Sequence, residues 1–323
     1  MFKGKRILFI GTGFYDYEKS IQEQFEKRGF TVFYFASDCK TNKKRILKMM
    51  GLNNLAIRSM SSRLTKLIEE QPQDIDYIFI IKGGNFSLCH FKQLKKKYPF
   101  QPRILYLWDS ISNLDNWDLL RANFKNILTF DRKDAIKQSL GFRPLFFRDN
   151  HIDQAEPILY DVSFVAKAYP NRDKIVKQVK NQLDSAGLSY RFILIKTKLR
   201  FFIERYITHK ISKKDVKLYS FRPIAYSDYL KISLQSNVIF DIPDAKQNGL
   251  TMRTIETIGL GKKIMTTNRD IEHYDLDKIS YRLLDAETPT IDIEFLRKRN
   301  EVHYDYEKYK LSSFVDDILA IFQ

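Results

Sequence analysis

The segment Asp241-Ile-Pro-Asp-Ala-Lys-Gln-Asn-Gly-Leu-Thr-Met-Arg-Thr-Ile-Glu256-Thr-Ile-Gly-Leu-Gly261-Lys-Lys-Ile-Met-Thr-Thr-Asn268 contains a loop and a helix bracketed by two short apolar runs, Val238–Ile242 and Lys262–Thr266. Both runs have strand length and β-rich composition, and the helix between them stops at a glycine, so the pattern predicts a strand–helix–strand unit of a parallel sheet. A helix that opens just beyond Gln247-Asn248-Gly249 directs its free backbone N–H groups at whatever sits above the loop, which suits phosphate. Arg253 lies near the start of that helix and Glu256 one turn later. A cation for phosphate and a carboxylate for sugar hydroxyls on one element predict a nucleotide-sugar pocket. Its candidate donor-binding positions are Gln247, Asn248, Gly249, Leu250, Thr251, Arg253, Glu256 and Thr267.

Outward from this unit the same alternation recurs. In the first half, Lys5–Ile10, Thr31–Phe35, Tyr77–Ile81, Arg103–Leu107, Ile127–Phe130 and Leu145–Phe147 are strand-like. Helical patterns such as Tyr17–Arg28, Leu55–Glu70 and Phe86–Lys97 separate them. The polar stretch Arg148–Pro157 has linker character. Then Tyr160–Val165, Tyr190–Ile195, Val238–Ile242, Lys262–Thr266 and Ile279–Leu283 continue as strands. Between and after them come helices at Asn171–Ser185, Leu199–His209, Ser227–Ser233 and from about Tyr306 to Phe322. The 323 residues exceed one comfortable core, and the prediction is an α/β protein of two tandem, doubly wound, Rossmann-like domains facing an interdomain cleft. The expected boundaries are 1–150 for an acceptor-binding domain, 151–305 for a donor-binding domain, and 306–323 for a closing helix packing back on the first domain.

Net charge is +16 and unevenly spread. Lys40, Lys43, Lys44, Arg45, Lys48, Arg58, Arg63 and Lys66 follow one another with no acid between them. From Lys196 to Arg222 nine Lys/Arg face only Glu204 and Asp215. Both runs are interleaved with apolar residues, the combination that holds basic amphipathic helices on anionic leaflets. The longest apolar runs, such as Ile78–Ile81, are far too short to span a bilayer. Cys39 and Cys89 form no disulfide framework or metal cluster. The expectation is a cytoplasmic protein, peripheral on the inner face of the plasma membrane, with an anionic membrane surface as partner.

Other candidate sites lie at carboxyl ends of predicted strands. Gly11-Thr-Gly13 follows the first strand, but Asp16 stands where a dinucleotide fingerprint needs its third glycine. Lys82-Gly83-Gly84 follows the third. Gly11, Gly13, Lys82, Gly83 and Gly84 are therefore expected to border the acceptor cleft. Asp109, after the fourth strand, is the candidate catalytic base for an acceptor hydroxyl, provided it comes within hydrogen-bond reach. Asp131 and Asp134 have the placement of helix caps. Asp74-Ile-Asp76 and Asp275-Leu-Asp277 fall in polar turns, the histidines are scattered, and no metal is expected.

At the level of families, the strand ending in Asp241, the Gln247-Asn-Gly-Leu-Thr-Met-Arg253 loop, Glu256, the Gly259-Leu-Gly-Lys-Lys263 stop and Thr266-Thr-Asn268 resemble the donor-binding half of GT-B glycosyltransferases. The likeness is to bacterial polysaccharide and lipopolysaccharide sugar transferases. Asp161-Val-Ser-Phe-Val-Ala166 followed by Tyr169-Pro-Asn-Arg172 resembles the start of their second domain. The resemblance implies that Glu256 holds the donor ribose, and that amides around Gly249 and the Arg253 cation meet the diphosphate. It also implies transfer without a cofactor or metal from a nucleoside-diphosphate sugar to a lipid-linked or lipopolysaccharide acceptor. Retaining members carry a second glutamate eight residues before the ribose one, where this chain has Asn248. Two alternatives share some of these features: a nucleotide-sugar epimerase of the same two-domain plan, and a nucleic-acid-binding protein without catalysis.

Overall fold

The computed structural model describes residues 2–13, 17–38, 53–148, 156–244, 247–274, 276–299 and 307–323, with the backbone alone described for 53–60. The chain divides into two compact units. One comprises Met1–Arg148, Ala245–Gly249 and Glu307–Gln323, the other Asp149–Asp244 and Leu250–Tyr306.

The first unit is built on six parallel strands, β1 (Arg6–Gly11), β2 (Thr31–Ala36), β3 (Tyr77–Ile81), β4 (Arg103–Leu107), β5 (Asn126–Thr129) and β6 (Gly141–Phe142), in the order β2-β1-β3-β4-β5-β6. The central strands are continuous apolar runs because both of their faces are covered; Ile78–Ile81 and Ile104–Leu107 are buried. The order reverses between β1 and β3, so Gly11 and Lys82 flank the switch point, where ligands bind in such sheets. Helix α1 (Tyr17–Lys27) follows β1, α2 (Asn53–Glu69) precedes β3, and α3 (Leu88–Lys97) follows it. Between β4 and β6 lie α4 (Trp117–Asn123) and α5 (Arg132–Gln138).

The expected strand at Leu145–Phe147 is corrected. The sixth strand is Gly141–Phe142, and Phe147 makes only an isolated bridge to Lys310. Pro144 has no N–H to donate to a ladder, and the buried Leu145, Phe146 and Phe147 serve the core instead. Phe147 N donates to Tyr309 O at 2.9 Å and accepts at its carbonyl from Leu311 N at 3.0 Å, which delivers the chain into the closing helix Leu311–Ile321. Phe314 of that helix packs within the first unit's core, tilted 4.6 Å from the Phe146 ring and edge-on 4.9 Å from Tyr106.

In the second unit the strands are β7 (Tyr160–Lys167), β8 (Tyr190–Ile195), β9 (Tyr219–Ser220), β10 (Ser236–Asp241), β11 (Lys263–Thr266) and β12 (Tyr281–Leu283). Their order, β12-β11-β10-β7-β8-β9 with every pair parallel, is the Rossmann order read from the far edge. Its switch point lies between β7 and β10. Helix α6 (Pro170–Ala186) begins three residues after β7, with Pro170 preorganising its first turn and Gly187 ending it in the left-handed region. Helices α7 (Lys198–Phe202), α8 (Tyr226–Leu234), α9 (Met252–Gly259) and α10 (Ile293–Arg297) follow. The single basic helix expected over Leu199–His209 is instead α7 running into a π turn, Ile203–Ile207.

Candidate functional site

β10 is buried along its whole length and ends in Asp241, a carboxylate only 1% exposed. A buried charge needs partners, and three residues supply them. Arg253 Nη1 pairs with Asp241 Oδ1, Thr254 Oγ1 donates to Oδ2 at 3.0 Å, and Arg253 Nη2 reaches across to Val165 O of β7 at 2.8 Å. The guanidinium lies 5.0 Å over the Phe164 ring. Arg253 thus clamps the carboxyl ends of β7 and β10 together. Its charge is matched by Asp241 within the protein. The sequence signal was present: a strand ending in Asp twelve residues before an Arg on the following helix.

Arg172, at the end of the Tyr169-Pro-Asn-Arg172 stretch and outside the sequence-predicted site, stands beside this pair. It occupies the first turn of α6, donates from Nε to Ile242 O at 2.8 Å, and rests 5.0 Å over the Tyr169 ring. Burial pulls its pKa down and the nearby Arg253 charge pulls further, opposed by Asp241 and Asp244. Among the described residues no carboxylate forms a salt bridge with it. The switch point therefore carries a paired arginine and a partly buried one held by carbonyls, next to the N-terminus of a helix, where negative charge is stabilised.

Glu256 sits one turn into α9 and is 6% exposed. Tyr226 at the start of α8 donates its hydroxyl to Glu256 Oε1 at 2.9 Å. Burial and then the Glu256 charge raise the pKa of Tyr229, one turn on, well above its ordinary value, so it stays a neutral phenol. Thr251 caps α9, accepting from Thr254 N, and Leu250 is buried. Thr267 N donates to Asp241 O at 3.2 Å, tying the end of β11 to β10.

Gln247, Asn248 and Gly249 group with the first unit. Asn248 Oδ1 accepts from Lys133 Nζ at 3.3 Å, and Gln247 Nε2 donates to Gly249 O at 3.4 Å. A Cβ at Gly249 would stand 2.8 Å from the Phe130 ring and carbonyl, so the loop needs glycine for close approach there. That is a packing reason for the glycine, where the sequence suggested a phosphate one.

The glycine loops of the first unit are likewise committed internally. The Glu18 carboxylate, reaching back from α1, accepts from Thr12 N at 2.6 Å, Thr12 Oγ1 at 2.9 Å, Gly13 N at 2.8 Å and Tyr34 Oη at 2.6 Å. A Cβ at Gly11 would fall 2.3 Å from Glu18 Oε2. The amides of Thr12 and Gly13, in the loop expected to border the acceptor cleft, are thus taken by the protein's own carboxylate. Burial and the bond to Glu18 push the Tyr34 pKa up. At β3, Gly83 N donates to Ile81 O at 2.9 Å, its carbonyl accepts from Asn116 Nδ2 at 3.1 Å, and Gly84 packs near Leu114. Lys82 Nζ and Asp109 Oδ2 form a half-exposed ion pair of 2.5 Å across the ends of β3 and β4. Asp131 caps α5 and also accepts from Ser110 Oγ at 2.5 Å.

Asp74 and Asp76 are paired with Arg6 and Lys5. Among the described residues no three His, Cys, Asp or Glu side chains are arranged to hold a metal ion. No helix among them is long and apolar enough to cross a membrane. Asp16, Cys39, the bases Lys40 to Lys48, His151 and Asp275 lie outside the described residues, as do the side chain of Arg58 and most of the expected linker.

No protein-family profile matches the chain, and no curated protein matches it by sequence. Solved structures do match over nearly full length. An alpha,alpha-trehalose-phosphate synthase (UDP-forming) from Burkholderia vietnamiensis aligns with a TM-score of 0.62 at 10% identity, covering 99% of each chain. Acinetobacter baumannii MurG aligns with a TM-score of 0.50 at 11% identity, over 98% of this chain and 99% of that one. LpCGTa, solved in complex with UDP, aligns with a TM-score of 0.52 at 8% identity, over 98% and 99%. These neighbours are GT-B glycosyltransferases. Two parallel six-stranded sheets, each in a doubly wound order, and these full-length likenesses together make the fold GT-B.

Proposed function

We propose that the protein is a glycosyltransferase that takes a nucleoside-diphosphate sugar in its second unit and passes the sugar to a hydroxyl of a lipid-linked, lipopolysaccharide or polysaccharide acceptor. The observation that carries this reading is the cluster at the β7/β10 switch point. In this reading Arg172 and the first turn of α6 would meet the diphosphate, while Arg253, neutralised by Asp241, holds the two strand ends together. Glu256 is the ribose ligand, a buried carboxylate kept in place by the Tyr226 hydroxyl. Charged hydrogen bonds of this kind contribute about 1.5–3 kcal/mol each, enough to set donor affinity. In the first unit Asp109, oriented by Lys82, is the candidate base for the acceptor hydroxyl. No cofactor is invoked, diphosphate charge being met by Arg172 and the helix N-terminus. The acceptor side of the reading puts the enzyme at an anionic membrane surface on the cytoplasmic face.

Calorimetric titration with a panel of nucleoside diphosphates tests the donor site. Arg172→Ala and Glu256→Gln should each weaken the best ligand at least about tenfold with the fold intact, the lower end of a charged hydrogen bond's worth. Unchanged affinity in both variants would remove the pocket. Isomerisation of the donor sugar with no acceptor present would move the activity to an epimerase.

A further inference from the structure

We infer that the insertion between β8 and β9, residues 196–222, is a docking element that lays its exposed apolar residues into an anionic lipid bilayer, ringed by lysine and arginine. This goes beyond the donor site and deepens the acceptor side of the proposed function. A crossover helix in a doubly wound sheet normally buries an apolar stripe against the strands. This one does not. Neither α7 nor the π turn that continues it contributes a buried residue. Leu199 is 72% exposed, Ile207 63%, Tyr206 59% and Phe202 54%, with Ile203, Val216 and Phe221 also exposed.

The segment is nonetheless ordered as one body. Phe201 packs its ring 5.6 Å from Tyr219 and 5.0 Å from Phe221, joining the helical arm to the strand edge. Ile211 is fully buried, and its N–H donates to Glu204 O at 3.1 Å. The apolar side chains are held out by a structured scaffold.

Charge is sorted in the same way. The two acids of the insertion point inward: Glu204 pairs with the buried Lys196 and with Arg200, and Asp215 is buried, accepting from Ser212 Oγ at 2.6 Å with Lys180 at 3.8 Å. Lys198, Arg200, Lys210, Lys213, Lys214, Lys217 and Arg222 are exposed. The insertion therefore exposes cations and apolar side chains and no acid. That pairing of apolar body and basic rim is complementary to a bilayer with anionic headgroups, whose acyl region takes the aliphatic side chains and whose headgroups take the cations.

The test is co-sedimentation of the full chain with vesicles of phosphatidylcholine alone and with about one-third phosphatidylglycerol, at physiological salt. The wild type should bind the anionic vesicles and not the neutral ones. Lys213→Gln/Lys214→Gln/Lys217→Gln should weaken that binding about a hundredfold, each lysine near the surface being worth about fivefold. Leu199→Ser/Phe202→Ser should weaken it at least tenfold. All five positions are exposed, and nucleoside-diphosphate affinity measured in the same preparations reports that the fold and the donor site are intact. Failure of docking with donor binding retained overturns this inference alone. Equal binding to neutral vesicles, no binding to either, undiminished binding by both variants, or salt-sensitive binding to RNA or DNA in place of vesicles would each overturn it.

Discussion

Replacing Glu18 with alanine asks whether the first glycine loop is a structural nest filled from within. The carboxylate accepts four hydrogen bonds, at 2.6, 2.9, 2.8 and 2.6 Å, and is 2% exposed. Two of the donors recover elsewhere: the Thr12 hydroxyl can rotate, and Tyr34, half-buried, can reach water. The amides of Thr12 and Gly13 remain. At about 1–3 kcal/mol for each donor left unsatisfied, Glu18→Ala should cost about 4 kcal/mol, read from urea unfolding of the variant against wild type. The vacated cradle should then take an anion from solution. Sulfate at one hundred times its dissociation constant would restore about 2.7 kcal/mol to the variant, while wild type, whose cradle is full, should gain only the general salt effect. Glu18→Gln should fall between, because its amide nitrogen would confront an N–H donor. A cost below about 1 kcal/mol, or equal sulfate stabilisation of variant and wild type, would refute the reasoning.

Two further outcomes test the second unit. Asp241→Ala leaves Arg253 with an unmatched, mostly buried charge and should destabilise by about 3–5 kcal/mol, whereas Asp241→Ala/Arg253→Met should cost markedly less than the sum of the two single changes; strict additivity in denaturant titrations would show that the pair does not act as a clamp. Lys263, which donates to the carbonyls of Phe295 and Lys298, has its pKa pushed down to about 8 by burial, with the Arg282 charge contributing. Between that value and its unfolded value of about 10.5 the unfolded chain holds more protons, so this residue's contribution to stability rises with pH over that window. The rise should amount to as much as about 3 kcal/mol and vanish in Lys263→Met; identical pH slopes for the two proteins would contradict it.

Much of the architecture was legible because doubly wound sheets write themselves as apolar runs. β3, β4 and β10 are short, buried on both faces and free of alternation, and they were placed within a residue or two. Edge elements were not: Gly141–Phe142 and Tyr219–Ser220 are two-residue strands whose pairing comes from tertiary position, with no propensity to announce it. At the site, the residue types were readable and their partners were not. Arg253 and Glu256 share a helix as expected, yet which of them a ligand would meet depends on Asp241, buried at the end of a neighbouring strand. Gly11 and Gly13 read as bordering an acceptor cleft, and only the fold reveals that Glu18, in the first turn of the next helix, takes up the amides of that loop. Side-chain reach across a turn leaves no mark in spacing alone.

The first unit is interrupted in the chain. Its core includes Phe314, Val315 and Ile318, which follow the second unit in sequence, while Phe146 and Tyr106 that they cover precede it. During synthesis the segment made earliest must wait for the 158 residues between Arg148 and Glu307 before its apolar face is capped. At about 5–20 residues per second that delay is about 8–32 s, long compared with hydrophobic collapse. Nascent chains stalled near residue 300 should therefore carry an exposed aromatic surface, a natural client for a ribosome-associated chaperone.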